Sequence, residues 1–176
     1  MIQGRNIHLK TLEEKDLSDV FEIIKLDGMG GTFSTTYKEI TKESLPNFLF
    51  LTERGTRAKV FGIYIKELRG EIYKHTLIGF VSLNNIHPIR QNAYIGVVGV
   101  HPSHQDGQHG LDALRTLINY AFNTLNLHRL YGHTFSDNEK MSAIYKRGGW
   151  QHEGTEREYA FKDGKWIDRD IWGVFR

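Results

Sequence analysis

Apolar positions change spacing along the chain, from alternation or short runs to a three-and-four repeat and back, and each change marks an element boundary. Ile7 to Lys10 alternates like a short strand. Thr11 followed by Glu14 has the form of a capping box, and Leu17, Val20, Phe21 and Ile24 then keep helical spacing, which predicts a helix over about 12–26. The glycine-rich, polar stretch from Asp27 to Thr36 reads as a loop, and a second helix is expected from Glu43 to Glu53 with Pro46 in its first turn. Lys59 to Glu67 and Thr76 to Leu83 are rich in β-branched and aromatic residues. They predict an antiparallel hairpin turning at Arg69-Gly70-Glu71, with a loop longer than the tightest type.

His87 to Asn92 should turn the chain into a strand over Ala93 to Val100. Leu111, Leu114, Leu117, Ile118, Ala121, Phe122 and Leu125 then hold a helical period for four turns. Arg129 to Phe135 is the next expected strand, and strand, helix, strand in this order implies a parallel crossover. A short helix over Asn138 to Lys146 should end at Gly148-Gly149, followed by a terminal ribbon that turns at Lys162-Asp163-Gly164-Lys165. The whole pattern predicts one α/β domain spanning 1–176 with a mixed, twisted central sheet and flanking helices.

Composition narrows the chemistry. The 23 lysines and arginines exceed the 21 aspartates and glutamates by too little to create the field that nucleic acid would demand, so any anion site must be local. The absence of cysteine removes disulfides, thiolate zinc sites and a cysteine nucleophile. No apolar run reaches membrane-spanning length and Met1 to Arg5 lacks a signal-peptide layout, so a cytoplasmic protein is the expectation. His101, His104 and His109 are spaced three and then five apart, which matches no common zinc pattern, and no metal site is expected. No Gly-x-Ser-x-Gly elbow supports triad chemistry.

One segment is suited to an anion. After the strand ending at Val100, Gln105-Asp106-Gly107-Gln108-His109-Gly110 leads into a helix whose first amides lack intrahelical partners and sit at the positive end of its dipole. An ordinary crossover turn would look the same. Farther on, Asn138 and Tyr145 lie seven apart on one helical face, with Gly149-Trp150 following. Asn138 suits an N-cap; Tyr145 either packs beneath the ribbon or presents a phenol to a site.

These segments resemble the GNAT superfamily of acyl-CoA-dependent N-acetyltransferases. Its acceptor loop reads Gln/Arg-x-x-Gly-x-Gly/Ala; Gln105 and Gly110 match the ends, while Gln108 replaces the first glycine. Asn138-x6-Tyr145 with Gly149-Trp150 is similar to the family's helix, and His152 to Glu158 with Lys162 to Asp168 is similar to the tail of its ribosomal-protein and spermidine branch. The resemblance implies acetyl-CoA as cosubstrate, held by the backbone near Val98 and Val100, by Gln105 through Gly110 and by Asn138. It implies Tyr145 as the acid that protonates the leaving thiolate, with the acceptor near Asn85 and Tyr94. A phenol of pKa about 10 can protonate a thiolate whose acid has pKa about 8.5.

Relatives often place a glutamate base where this chain has Tyr94, and Asn84 and Asn85 supply no carboxylate. His87, His101 and His133 are the titratable alternatives near neutral pH. Neutralising a lysine-like ammonium at pH 7 costs roughly 4.6 kcal/mol against about 1 kcal/mol for an α-amino group. This argument, together with the lack of acids in Gly28 to Thr36, ranks peptide or protein α-amines, amino sugars and other small amines above polyamines. A non-catalytic acyl-CoA sensor is the rival reading, and a homodimer is an open expectation of the resemblance.

Overall fold

The computed structural model describes residues 1–26, 41–46, 57–70, 72–105 and 108–176. The expected loop at Asp27 to Thr36, most of the Glu43 to Glu53 helix, and Asp106 and Gly107 of the acceptor-like loop therefore lie outside the described residues. The strands are β1 (Ile2–Gln3), β2 (His8–Thr11), β3 (Arg57–Arg69), β4 (Ile72–His87), β5 (Asn92–Val100), β6 (Arg129–Phe135), β7 (Gln151–Lys162) and β8 (Lys165–Phe175). They form one sheet in the order β1-β2-β3-β4-β5-β6-β8-β7. The helices described from end to end are α1 (Leu17–Leu26), α2 (His109–Asn123) and α3 (Glu139–Arg147).

The sheet is antiparallel except where β5 pairs with β6, as expected for a strand, helix, strand crossover. Alternate side chains of β3 enter two apolar clusters on opposite faces. Val60 joins Leu12, Val20, Ile23, Ile24 and Phe80 under α1, and Phe61 and Ile63 join Leu114, Leu117, Ala121 and Tyr145 under α2 and α3. Leu114 and Leu117 are fully buried, each worth about 1.5–3 kcal/mol relative to exposure. Asp112, in the first turn of α2, staples the amino-terminal segment to this layer by accepting from the amides of Arg5 (3.1 Å), Asn6 (2.6 Å) and Ile7 (3.3 Å).

Two expected details differ. Thr11 does not cap α1, because its backbone is committed to the ladder opposite Phe61. The chain turns instead at Glu13, whose amide donates to Asp16 Oδ2 at 2.9 Å, and a single 3-10 turn (Glu14–Asp16) precedes α1. The β3–β4 hairpin is also tighter than expected. Gly70 adopts φ +65°, a region open mainly to glycine, so Arg69 pairs directly with Ile72 and both strands run to the tip. The terminal ribbon turns at Asp163-Gly164, as the sequence predicts, both residues having positive φ.

Candidate active site

The cleft originates in the pairing of β5. Its parallel register with β6 runs from Asn92↔Arg129 to Ile95↔Gly132, while β5 itself continues to Val100. At the point of parting β5 holds an extra residue, since Leu83 pairs with Ile95 but Val81 pairs with Val98. Ser82 Oγ accepts from the Val97 amide at 3.0 Å and fixes this bulge. A Cβ at Gly96 would lie 2.3 Å from Asn84 Nδ2 and 2.5 Å from Ser82 Oγ, so the bulge closes only around a glycine.

The phase of the ladder beyond the bulge decides where the backbone points. His101 donates to Ile78 O at 2.7 Å, and Gly79 pairs with Val100, so His101 and Gly99 exchange bonds with β4. Val98 and Val100 alternate with them and turn their N–H and C=O groups away from β4, toward the side that β6 has left. Gln105 Nε2 accordingly reaches Val100 O at 2.8 Å, tying the loop to the strand end. Lys140 of α3 approaches Gln105 Oε1 at 3.4 Å across the opening.

The resulting cleft has a volume of 810 Å³, and its walls include Tyr94, Val98, Val100, Gln105, Asn138 and Tyr145. Its mouth carries Lys140 and Arg147, and Gly110 of α2 also borders it. The first α2 backbone bond among the described residues runs from the Asp112 amide to Gln108 O (2.8 Å). The amides of His109, Gly110 and Leu111 therefore precede the helical ladder at its positive end.

Gln108 caps α2 with φ −93° and ψ −47°, an ordinary right-handed conformation. The turn therefore does not need glycine there. Gln108→Gly is predicted to change the CoA dissociation constant by less than about threefold, the range of an exposed substitution worth about 0.5 kcal/mol. Titration calorimetry checks this, and a loss beyond about tenfold would make the side chain a phosphate contact. His109 lies outside the cleft wall, its Nδ1 3.3 Å from His104 O. Asn85 is exposed at φ +51° on an irregular part of β4, also outside the wall, whereas Asn84 lies beside Gly96. His101 is occupied locally, its Nδ1 accepting from the Ser103 amide at 3.2 Å.

Asn138 caps α3, Oδ1 accepting from the Met141 amide at 3.0 Å. Seven residues on, Tyr145 is 1% exposed. Its ring packs on Trp150 (4.7 Å between centroids) and stacks on Trp172 (5.6 Å). A Cβ at Gly132 would stand 2.2 Å from the Tyr145 hydroxyl, so the phenol rests directly on β6 at the last pair before the strands part. Burial foremost, and Tyr94 nearby, hold this hydroxyl well above the usual tyrosine range and keep it protonated. Gly132, Gly96 and Ser82 were not singled out by sequence; the signal available was a glycine inside an apolar strand.

The opposite face of the same rungs is aromatic and charged. Tyr94 lies 5.4 Å from Tyr131 and 5.2 Å from His133 between ring centroids. Burial raises the Tyr94 phenol. Arg169 Nε donates to Glu156 Oε2 at 2.5 Å, and its guanidinium lies 3.5 Å over Tyr159.

Comparison with known proteins gives the same fold. A family model described as "Acetyltransferase (GNAT) domain" matches residues 9–171. Spermidine N(1)-acetyltransferase of Vibrio cholerae is 36% identical over 96 residues, 52% of this chain and 53% of that enzyme, so the alignment spans about half its length. The Bacillus subtilis protein named "Uncharacterized N-acetyltransferase YoaA" is 23% identical over 100% of this chain and 97% of its own. The crystal structure of the V. cholerae spermidine N-acetyltransferase with CoA and spermine superposes with a TM-score of 0.77 at 23% identity, covering 97% of this chain and 95% of that one. Parted strands, a helix opening onto the gap and a family model matched over nearly the whole chain lead to one conclusion: the chain belongs to the GNAT family and is an acetyl-CoA-dependent N-acetyltransferase.

Proposed function

We propose that the chain acetylates a small primary amine by direct attack, with Tyr145 as the acid that protonates the departing thiolate. The observation that carries this is the hydroxyl of a fully buried tyrosine resting on Gly132 where β5 and β6 separate. A thioester lying in the gap meets the outward amides of Val98 and Val100, which suit an oxyanion. Its pantetheine arm runs past Asn138 toward Gln105, Gln108, Gly110 and the amino end of α2, where Lys140 and Arg147 complement the phosphates. Asp106, Gly107 and His109 complete this loop in the same reading. Because the chain has no cysteine, the acyl group passes to the amine without a thioester on the protein.

The acceptor approaches from the Tyr94 face, with Asn85 at the rim. The spermidine relatives raise polyamines above the rank that the missing strand glutamate suggests, while Gly28 to Thr36, free of carboxylates, favours less highly charged amines. Organisation as one domain over 1–176, a cytoplasmic location and a homodimeric state belong to the same proposal. Purified protein with acetyl-CoA and a panel of spermidine, spermine, peptide amino termini and amino sugars is expected to release free thiol with at least one amine. Tight CoA binding without turnover across the panel would replace the enzyme by an acyl-CoA sensor.

A further inference from the structure

We infer that His133 is the base that takes the proton from the acceptor's ammonium group, an assignment that rests on the acetyltransferase reading above. Along β6, Leu130, Gly132 and Thr134 are buried on the α2–α3 face, so Tyr131 and His133 point to the other. The registers Tyr94↔Tyr131, His133↔Ile171 and Phe135↔Arg169 place Tyr94, Tyr131, His133 and Arg169 on that second face. His133 thus follows directly on Gly132, the residue beneath the Tyr145 hydroxyl, and the His133 and Tyr145 side chains wall the same cleft. The imidazole and the phenol flank the gap from opposite faces of the sheet. An amine arriving from the Tyr94 face meets the imidazole, and a thiolate departing on the α3 side meets the phenol.

The surroundings suit a base. Tyr94 and Tyr131 flank the imidazole at 5.2 and 6.2 Å between centroids, and it makes no hydrogen bond to another described residue. The charged and titratable groups facing it are Tyr94 of β5, Tyr131 of β6, Arg169 of β8 and Glu156 of β7. Burial first and the Arg169 guanidinium second hold its pKa below 6.5, with Glu156 opposing, so the ring is neutral and able to accept a proton at pH 7. Proton balance closes with two protons leaving the nitrogen. His133 removes one proton from R–NH3⁺ and releases it to water. The amine lone pair then forms the C–N bond and the C–S bond breaks. Tyr145 protonates the sulfur, and the second nitrogen proton, made acidic by the attack, restores the phenol. The net products are the amide, free CoA thiol and one proton.

The test is kcat against pH with an alkylamine acceptor from the panel, of pKa about 10, and with an arylamine that is neutral at pH 7. H133Q is expected to lose about 100- to 10,000-fold with the alkylamine and far less with the arylamine, and its alkylamine kcat is expected to rise with pH toward the amine's own pKa instead of levelling above the histidine limb. R169Q, which removes the neighbouring cation and leaves Glu156 unpaired, is expected to move that limb to higher pH. Equal losses on both amines, or an acid limb left at its wild-type pH in H133Q, would overturn the assignment. CoA affinity retained by H133Q shows that the variant is folded; if it is not, an unmoved limb in R169Q overturns the assignment independently. Wild-type protein inactive on every amine would sink the acetyltransferase reading itself.

Discussion

Tyr145→Phe is expected to lower kcat by about 100- to 10,000-fold, the usual worth of general acid help. The CoA dissociation constant should stay within about threefold. The substitution deletes one oxygen and keeps the ring, so the packing on Trp150 at 4.7 Å and on Trp172 at 5.6 Å survives. The removed group is one whose burial holds its proton firmly. Between pH 6 and 9 the wild-type phenol remains protonated, so no alkaline fall in kcat over that range should trace to it, whereas a thiol of pKa about 8.5 needs a donor in much of the range. Stopped-flow thiol release and calorimetry of CoA binding measure the two quantities separately. A kcat within about threefold of wild type would make Tyr145 a packing residue and leave the thiolate to solvent.

Local patterns made much of this fold legible. The α2 repeat, the Asn138 cap and the positive-φ turn at Asp163-Gly164 are decided by neighbours in sequence, and each is found where periodicity or turn chemistry predicts. Thr11 shows where such reasoning stops. A capping box and a strand end compete for the same backbone, and pairing with Phe61, distant in sequence, decides between them. The site divides in the same way. Tyr145 and Asn138 are visible as a spaced pair on one helix, but their importance rests on the point where β5 and β6 part, which depends on the Ser82-bound bulge. Among His87, His101 and His133 the sequence offers no ranking. Only the pairing of β6 with β5 and β8 brings His133 beside Tyr94 and Arg169, while His87 Nδ1 accepts from the Arg90 amide in its own turn.

Gly132→Ala is expected to lower kcat by on the order of 100-fold while adding only one methyl group. Its Cβ would meet the Tyr145 hydroxyl at 2.2 Å, Cζ at 2.9 Å and Cε1 at 3.4 Å, the first two closer than real contacts allow. The tyrosine has little room to yield. Its ring lies against two tryptophans, and its carbonyl accepts from the amides of Gly148 and Trp150 at 3.0 Å each. Either β6 shifts or the phenol leaves the gap, at an overpacking cost of about 1–3 kcal/mol. For a chain of this size that lowers Tm by roughly 2–12 °C. A hydroxyl displaced by about 1 Å forfeits on the order of 100-fold in kcat. Calorimetry and kinetics of the double variant Gly132→Ala/Tyr145→Phe then identify the clash as the cause. With the oxygen gone the Tm penalty should shrink, and kcat should fall no further than in Tyr145→Phe alone, because both changes disable the same proton donor. Gly110→Ala is the thermal control, since its Cβ would make ordinary contacts at 3.6 Å to Ile144 and 3.7 Å to Val100, and its Tm should stay near wild type. Additive losses in the double variant would mean that Gly132 serves the reaction by some route other than seating Tyr145.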